Sequence, residues 1–342
     1  MRLTGNNSGW SGSARLGVAG SATIAGGRIL IAHQNALGTG ADVQMQFNDG
    51  ILEAETPFTG ANAIPIGLSI GAGQLTGAVF AGAEMEFTGT VQLFKPAGPS
   101  LQNTITVNNH VTFTGSFGLS TGTGTSLGVT IAGQGMLTLA NASNPVSEPF
   151  TIDGPTVVLS GSLGASSVTI KAGTLKGGGS LLDLFVGDAA NTNDAILAPG
   201  NGIGILTTSA LTLDSDATFE LEINSALGVA DKIIADGAVA LGDGVATLAV
   251  SDLGTGVLPA GMSFTIIDNQ SAALGTTGFF KNRPNLSRFA LGANQFEIDY
   301  ETGIDLNDVV LRVVPEPSWP ALLIWGSTLF VSRRRLRRDM PH

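Results

Sequence analysis

Apolar and polar residues alternate along most of this chain in short runs, and each run stops at glycine, asparagine or proline. Ile29-Leu-Ile31, Met45-Gln-Phe47, Ile51-Leu52-Glu53, Glu84-Met85-Glu86-Phe87, Ile105-Thr-Val107 and Val111-Thr-Phe113 are such runs. Turn signals fall between them about every 8–12 residues. No window of helical length keeps an apolar period of 3.6, so the pattern predicts strands throughout.

From residue 131 the rhythm becomes a repetition. Gly135-Met-Leu137-Thr-Leu139 is followed by Phe150-Thr-Ile152, Thr156-Val-Val-Leu159, Val168-Thr-Ile170, Gly173-Thr-Leu175, Ile196-Leu-Ala-Pro-Gly200 and Leu211-Thr-Leu213. Strand, turn and strand recur at spacings near those of coils in a parallel β-solenoid. One such coil cannot bury its own apolar face, and stacked neighbours make the core. Small corner residues let successive corners lie ~4.8 Å apart, the distance between paired strands. The expected class is all-β, a right-handed parallel β-helix. Strand period alone does not separate parallel from antiparallel pairing, so one or two β-sandwiches stand as the alternative.

The last thirty residues break the pattern in three steps. Val313-Val-Pro315-Glu316-Pro317-Ser318 comes first, then an apolar run from Trp319 to Val331, then Arg333, Arg334, Arg335, Arg337 and Arg338. Two prolines two residues apart remove amide donors and favour extended geometry, which makes this stretch readable by another protein. The apolar run can enter a bilayer, with Pro320 tolerable in its first turn. Arginines on one flank stay cytoplasmic and put the rest of the chain across the membrane. Trp319 to Ser332 is 14 residues, about 21 Å of helix at ~1.5 Å per residue against a ~30 Å hydrocarbon core. Arginine snorkelling and local thinning close that gap.

Val314-Pro-Glu-Pro-Ser, the apolar run and the arginine cluster together resemble the PEP-CTERM sorting signal of exported bacterial proteins. The resemblance implies a Gram-negative-type envelope, processing near Pro315-Glu316-Pro317 by the membrane protease-transpeptidase exosortase, and an association with exopolysaccharide. A second resemblance lies in the body. Leu3-Thr-Gly-Asn-Asn, Gly135-Met-Leu-Thr-Leu-Ala-Asn, Thr169-Ile-Lys-Ala-Gly-Thr-Leu175 and Leu197-Ala-Pro-Gly-Asn-Gly look like autotransporter-associated β-strand repeats. Asp231-Lys-Ile-Ile, Ala238-Val-Ala-Leu-Gly and Gly261-Met-Ser-Phe-Thr-Ile-Ile-Asp268 are similar to the closing segment of such passengers. This likeness implies a parallel β-helix stalk, with residues 45–125 fitting only as generic strands.

Composition agrees with short strands and tight turns. Charged residues are 13% of the chain and glycine is 48 of 342, about half and about twice their ordinary shares. The formal charge is −11; without residues 319–342 it is −15, from 11 basic and 26 acidic residues. Such a body repels nucleic acid and anionic lipid headgroups. The absence of cysteine excludes disulfides and thiolate metal sites. Met1 to Trp10 holds no apolar stretch of the length a secretory leader needs. The expectation is that Met1 is an internal start and that the natural polypeptide is longer upstream.

Few residues suggest chemistry. Gly-x-Ser-x-Gly occurs at Gly67–Gly71, Gly118–Gly122 and Gly124–Gly128, but a nucleophile elbow needs a strand-to-helix turn with a histidine and an acid. His33 and His110 stand beside asparagines and read as turn residues. Glu84/Glu86, Asp214/Asp216 and Glu220/Glu222 are each spaced i, i+2, so each pair shares one strand face. In Phe219-Glu-Leu221-Glu-Ile223 the apolar set points inward and the glutamates outward. Lys and Arg are scarce nearby in the sequence, so a solvated outer face is expected. Asp299, Glu301, Asp305 and Asp308 are weak candidates for Ca²⁺, without the glycine of an EF-hand loop. No catalytic residue, resident metal or other cofactor is assigned.

Three regions follow: repeats over 1–204, closing coils and cap over 205–312, and the sorting signal over 313–342, with its apolar helix at 319–332 and stop-transfer arginines at 333–338. The expected protein is a non-enzymatic structural component, held at the inner membrane as a precursor and then placed at the cell surface or in the extracellular matrix. Its expected partners are exosortase, the membrane through 319–332 and exopolysaccharide, with no nucleic acid. Two other classes remain: a carbohydrate-binding surface adhesin, which needs an outer stripe of aromatic or polar residues, and a β-helix polysaccharide lyase or hydrolase, which needs acids and a Lys or Arg converging in one groove.

Overall fold

Like residues stand over one another through the middle of the molecule, and the fold follows from that stacking. Ile105 pairs with Ile131, Ile131 with Ile152, and Ile152 with Ile170, all in parallel register. The file continues through Val186 to Leu213, and every member is essentially inaccessible to solvent. A second file runs Val111, Leu137, Val157, Leu175, Leu197, Phe219 and Leu248. Burying each such side chain supplies roughly 1.5–3 kcal/mol. None of it is available to a coil standing alone.

The computed structural model describes residues 1–7, 14–16, 27–37, 44–47, 49–59, 67–70, 77–94, 101–121, 126–190, 194–303 and 306–315. These residues are all-β, with no helix among them. Coils contribute short strands to three parallel columns. One column includes Arg28–Ile31, Gly50–Ala54, Gly77–Gly82, Leu101–Val107 and Ser126–Ala132. Another holds Met85–Phe87, His110–Phe113, Met136–Leu139, Ala195–Pro199, Ala217–Asn224 and Thr247–Asp252. The third begins as the five-stranded sheet from Ala14–Leu16 to Phe117–Thr121. It resumes through Ser143–Asn144, Ile205–Thr208 and Lys232–Ala235. Phe150–Leu159 and Ser162–Gly177 each turn a corner and serve two columns.

Parallel register excludes the β-sandwich, and it is continuous through the described strands of 45–125. The coils shorten in the middle: Phe150 pairs with Val168 and Val168 with Leu184, whereas Leu184 pairs with Leu211. Phenylalanines fill the wider early coils. Phe47, Phe80, Phe87 and Phe113 touch in sequence, with ring centroids 5.3–6.0 Å apart, within the range of favourable aromatic pairs. Corners are tied from coil to coil by amides. Asn7 Nδ2 donates to Ala36 O at 2.8 Å and Asn141 Nδ2 to Thr114 O at 2.9 Å.

Pairing reverses at the far end. Ser263–Asn269 takes Asp308–Val314 as an antiparallel partner. Arg288–Leu291 and Asn294–Thr302 complete an antiparallel cap over the last coil. Tyr300 is buried there; its hydroxyl donates to Arg283 O at 2.7 Å and accepts from Phe280 N at 3.1 Å.

Candidate functional site

The alternation in Ala217–Asn224 places Phe219, Leu221 and Ile223 in the core and turns Glu220 and Glu222 outward, half-buried. Register then decides their neighbours. Lys176 pairs with Ala198, and Leu197 pairs with Phe219, so Ala198 and Glu220 lie on adjacent rungs. Glu220 in turn pairs with Ala249 and Glu222 with Ser251. At ~4.8 Å per rung, Lys176 and Glu220 stand about 10 Å apart along the file, with the small Ala198 between them. The result is a recess of ≈ 210 Å³ lined by Lys176, Ala198, Gly200, Glu220, Glu222 and Asp231 among others.

One wall is the loop after Ala195–Pro199. Gly177 N donates to Gly200 O at 2.8 Å and Gly200 N returns a bond to Gly177 O at 2.9 Å. Gly200 has φ +86°, and a Cβ there would run into Gly202 O. Only glycine fits this turn without strain. At the base lies Asp231, 1% exposed. Gly204 N and Glu222 N donate to its two carboxylate oxygens, each at 2.8 Å. Burial pushes its carboxyl up to about 6, and the neighbouring Glu222 adds to the rise, against the two amide donors that favour the charged form.

The scarcity of basic residues near these acids, true along the chain, therefore fails in space, because Lys176 arrives through register. Asp231 and Lys176 are the residues that sequence reasoning missed. Asp231 opens an alternating apolar run, a place where a carboxylate readily caps backbone donors; nothing local marks Lys176. Chemically the recess offers an ammonium, two half-buried carboxylates and a carboxyl that holds a proton below about pH 6. Hydroxyl-rich ligands can bond to such a set.

The other candidates separate. Asp214 and Asp216 do not share a strand face, since the strand Leu211–Leu213 ends before them. Asp216 is buried and accepts from Asp188 N and Ala189 N, both at 3.1 Å, which pins the preceding coil. Glu84 precedes its strand while Glu86 lies in it; both line a recess of ≈ 130 Å³ with His110. His110 opens a strand rather than a turn, with Nδ1 3.8 Å from Glu84 Oε2 and Nε2 3.2 Å from Thr138 Oγ1. His33 is a turn residue, its Nδ1 accepting from Asn35 N at 3.0 Å. Ser69, Ser120 and Ser126 of the three Gly-x-Ser-x-Gly stretches lie in strands, and no helix occurs among the described residues.

Asp299 accepts from Glu301 N at 3.0 Å, and Asp308, on the neighbouring strand, accepts from Asn269 N at 3.0 Å. Asp305 lies outside the described residues. Among the described residues no group of three or more His, Asp and Glu is placed to hold a metal ion. Pro315 is exposed at the end of the cap. Glu316, Pro317, the run 319–332 and Arg333, Arg334, Arg335, Arg337 and Arg338 lie outside the described residues. Among those described, no helix is long and apolar enough to cross a membrane. Neither the known protein-family models nor the curated proteins compared with this chain match it.

Proposed function

We propose that the chain is an exported, non-enzymatic structural protein: a right-handed parallel β-helix stalk carrying a PEP-CTERM-type sorting tail. In this reading exosortase processes the tail near Pro315, Glu316 and Pro317. The apolar helix 319–332 presents that stretch, and the five arginines stop transfer. The precursor is held at the inner membrane of a Gram-negative-type bacterium, and the mature stalk reaches the surface or an exopolysaccharide-bearing matrix. The observation that carries the reading is where the fold closes. The antiparallel cap ends at Val314, and Pro315 stands exposed directly after it. The tripartite tail thus follows directly on the last strand of the cap, with Pro315 at the surface, where a processing enzyme can reach it. Deleting Pro315–Arg338 in the host should abolish surface delivery and change the mature mass. Unchanged location and mass would sink the proposal.

A second reading is favoured by the recess of Lys176, Glu220, Glu222 and Asp231, the convergence that a carbohydrate-active β-helix enzyme requires. It ranks second because Asp231 is committed to two backbone donors and Lys176 is two rungs from Glu220. Incubation with acidic polysaccharides separates the readings. New chain ends that vanish in Lys176→Met and Glu220→Gln would move the protein to the enzyme class; no cleavage in any of the three proteins is expected.

A further inference from the structure

Several large apolar side chains of the closing coils are exposed to solvent. Leu227 is 73%, Val229 41% and Val257 78% exposed. Val257 also lines an apolar groove of ≈ 450 Å³ with Leu258, Ala260, Ala293, Val314 and Pro315. The turn that carries Leu227 and Val229 adjoins the segments that border this groove. The Gly228 backbone lies against the Met262 methyl, and Met262 O accepts from Val313 N at 2.8 Å. The turn and the loop that carry these side chains are locked together. Ser225 N donates to Asp252 Oδ1 at 2.9 Å, and Gly256 N donates to Ser225 Oγ at 2.8 Å. Exposed apolar side chains held on a fixed backbone beside an apolar groove mark a contact site.

The chain itself indicates what covers it. Pro315 lines the groove, and only Glu316, Pro317 and Ser318 separate it from Trp319, where the apolar run begins. Four residue steps span at most about 14 Å. Resting on the reading of that run as a membrane anchor, we propose that this face of the last coils is a lipid-contact surface, seated on the interface of a bilayer of zwitterionic lipid. An anchored run cannot lie more than that short tether from the groove, so it presses Leu227, Val229 and Val257 toward the headgroup boundary, where apolar side chains are favoured. The acidic body disfavours anionic headgroups, which selects the neutral lipid. The stalk would then stand on the membrane by its capped end instead of swinging on its linker.

The chain contains no cysteine, so Val257→Cys supplies a single thiol for an environment-sensitive fluorophore in the full-length protein. Leu227→Cys is the second site should the first variant misfold, and exposed Thr59→Cys on an early coil is the control. Each is mixed with phosphatidylcholine vesicles, and flotation of protein with lipid is measured alongside emission. The expected result is flotation, with a blue shift and protection from aqueous iodide at 257 and neither at 59. Flotation without a shift at 257 overturns the lipid-contact face and leaves the anchor standing. Failure to float removes the anchor and the face together. A shift at 257 that grows with protein concentration without vesicles assigns the face to a second copy of the chain and also overturns the proposal.

Discussion

Burial raises the Asp231 carboxyl from 3.8 to about 6, so its ionised form strains the folded state at neutral pH. The sign follows from linkage: a carboxyl raised on folding adds stability that is complete below its unfolded value and lost as pH rises through the folded one. Falling from pH 7 toward pH 4 should therefore add roughly 2 kcal/mol from this residue, opposite to ordinary acid denaturation. Urea midpoints at pH 7.5, 6 and 5 for the native chain and Asp231→Asn should converge or cross as Asp231 protonates. A difference between the two that stays constant with pH would refute the assignment. Glu220 and Glu222 were legible as outward residues from the alternation around them. Lys176 was not, because 44 positions separate it from Glu220 and only coil length puts them beside one recess. Asp214 and Asp216 were misplaced for a related reason: i, i+2 spacing means a shared face only inside a strand, and the strand stops at Leu213.

Strands depend on their neighbours here more than on their own residues. Ile152 sits between Ile131 and Ile170 with no solvent exposure, so Ile152→Ala should cost about 2–5 kcal/mol. In a stack where each coil touches only the next, the damage stays local. Hydrogen exchange should accelerate in Ser126–Ala132 and Ser162–Gly177 while Asp308–Val314 stays protected; uniform acceleration would mean the stack melts as one unit. Most of these strands were readable from alternation and turn residues. Their lengths were less so: Ser162–Gly177 is one continuous strand of 16 residues, although the glycines within it read as breaks. Glycine bends a strand around a corner without ending its ladder, and pattern alone does not distinguish the two outcomes.

A stack of parallel coils presents open strand edges at its ends, and the antiparallel cap covers one of them. Chain ending before Arg288 would leave Ser263–Asn269 without its partner Asp308–Val314. An uncovered edge of that kind templates further pairing, so the truncated protein should appear as large species in sedimentation velocity; a stable soluble monomer would show that the cap does not guard the edge. Local periodicity determined by itself that the chain is built of strands, which side of each faces inward, and that the last thirty residues differ in kind from the rest. Those features depend on residues a few positions apart. Parallel register, the shortened middle coils, the reversal into a cap, the Lys176–Asp231 recess and the apolar face at Val257 were decided only by tertiary structure. Each arises from which coil lands on which, and a two-residue period carries no information about partners tens of residues away.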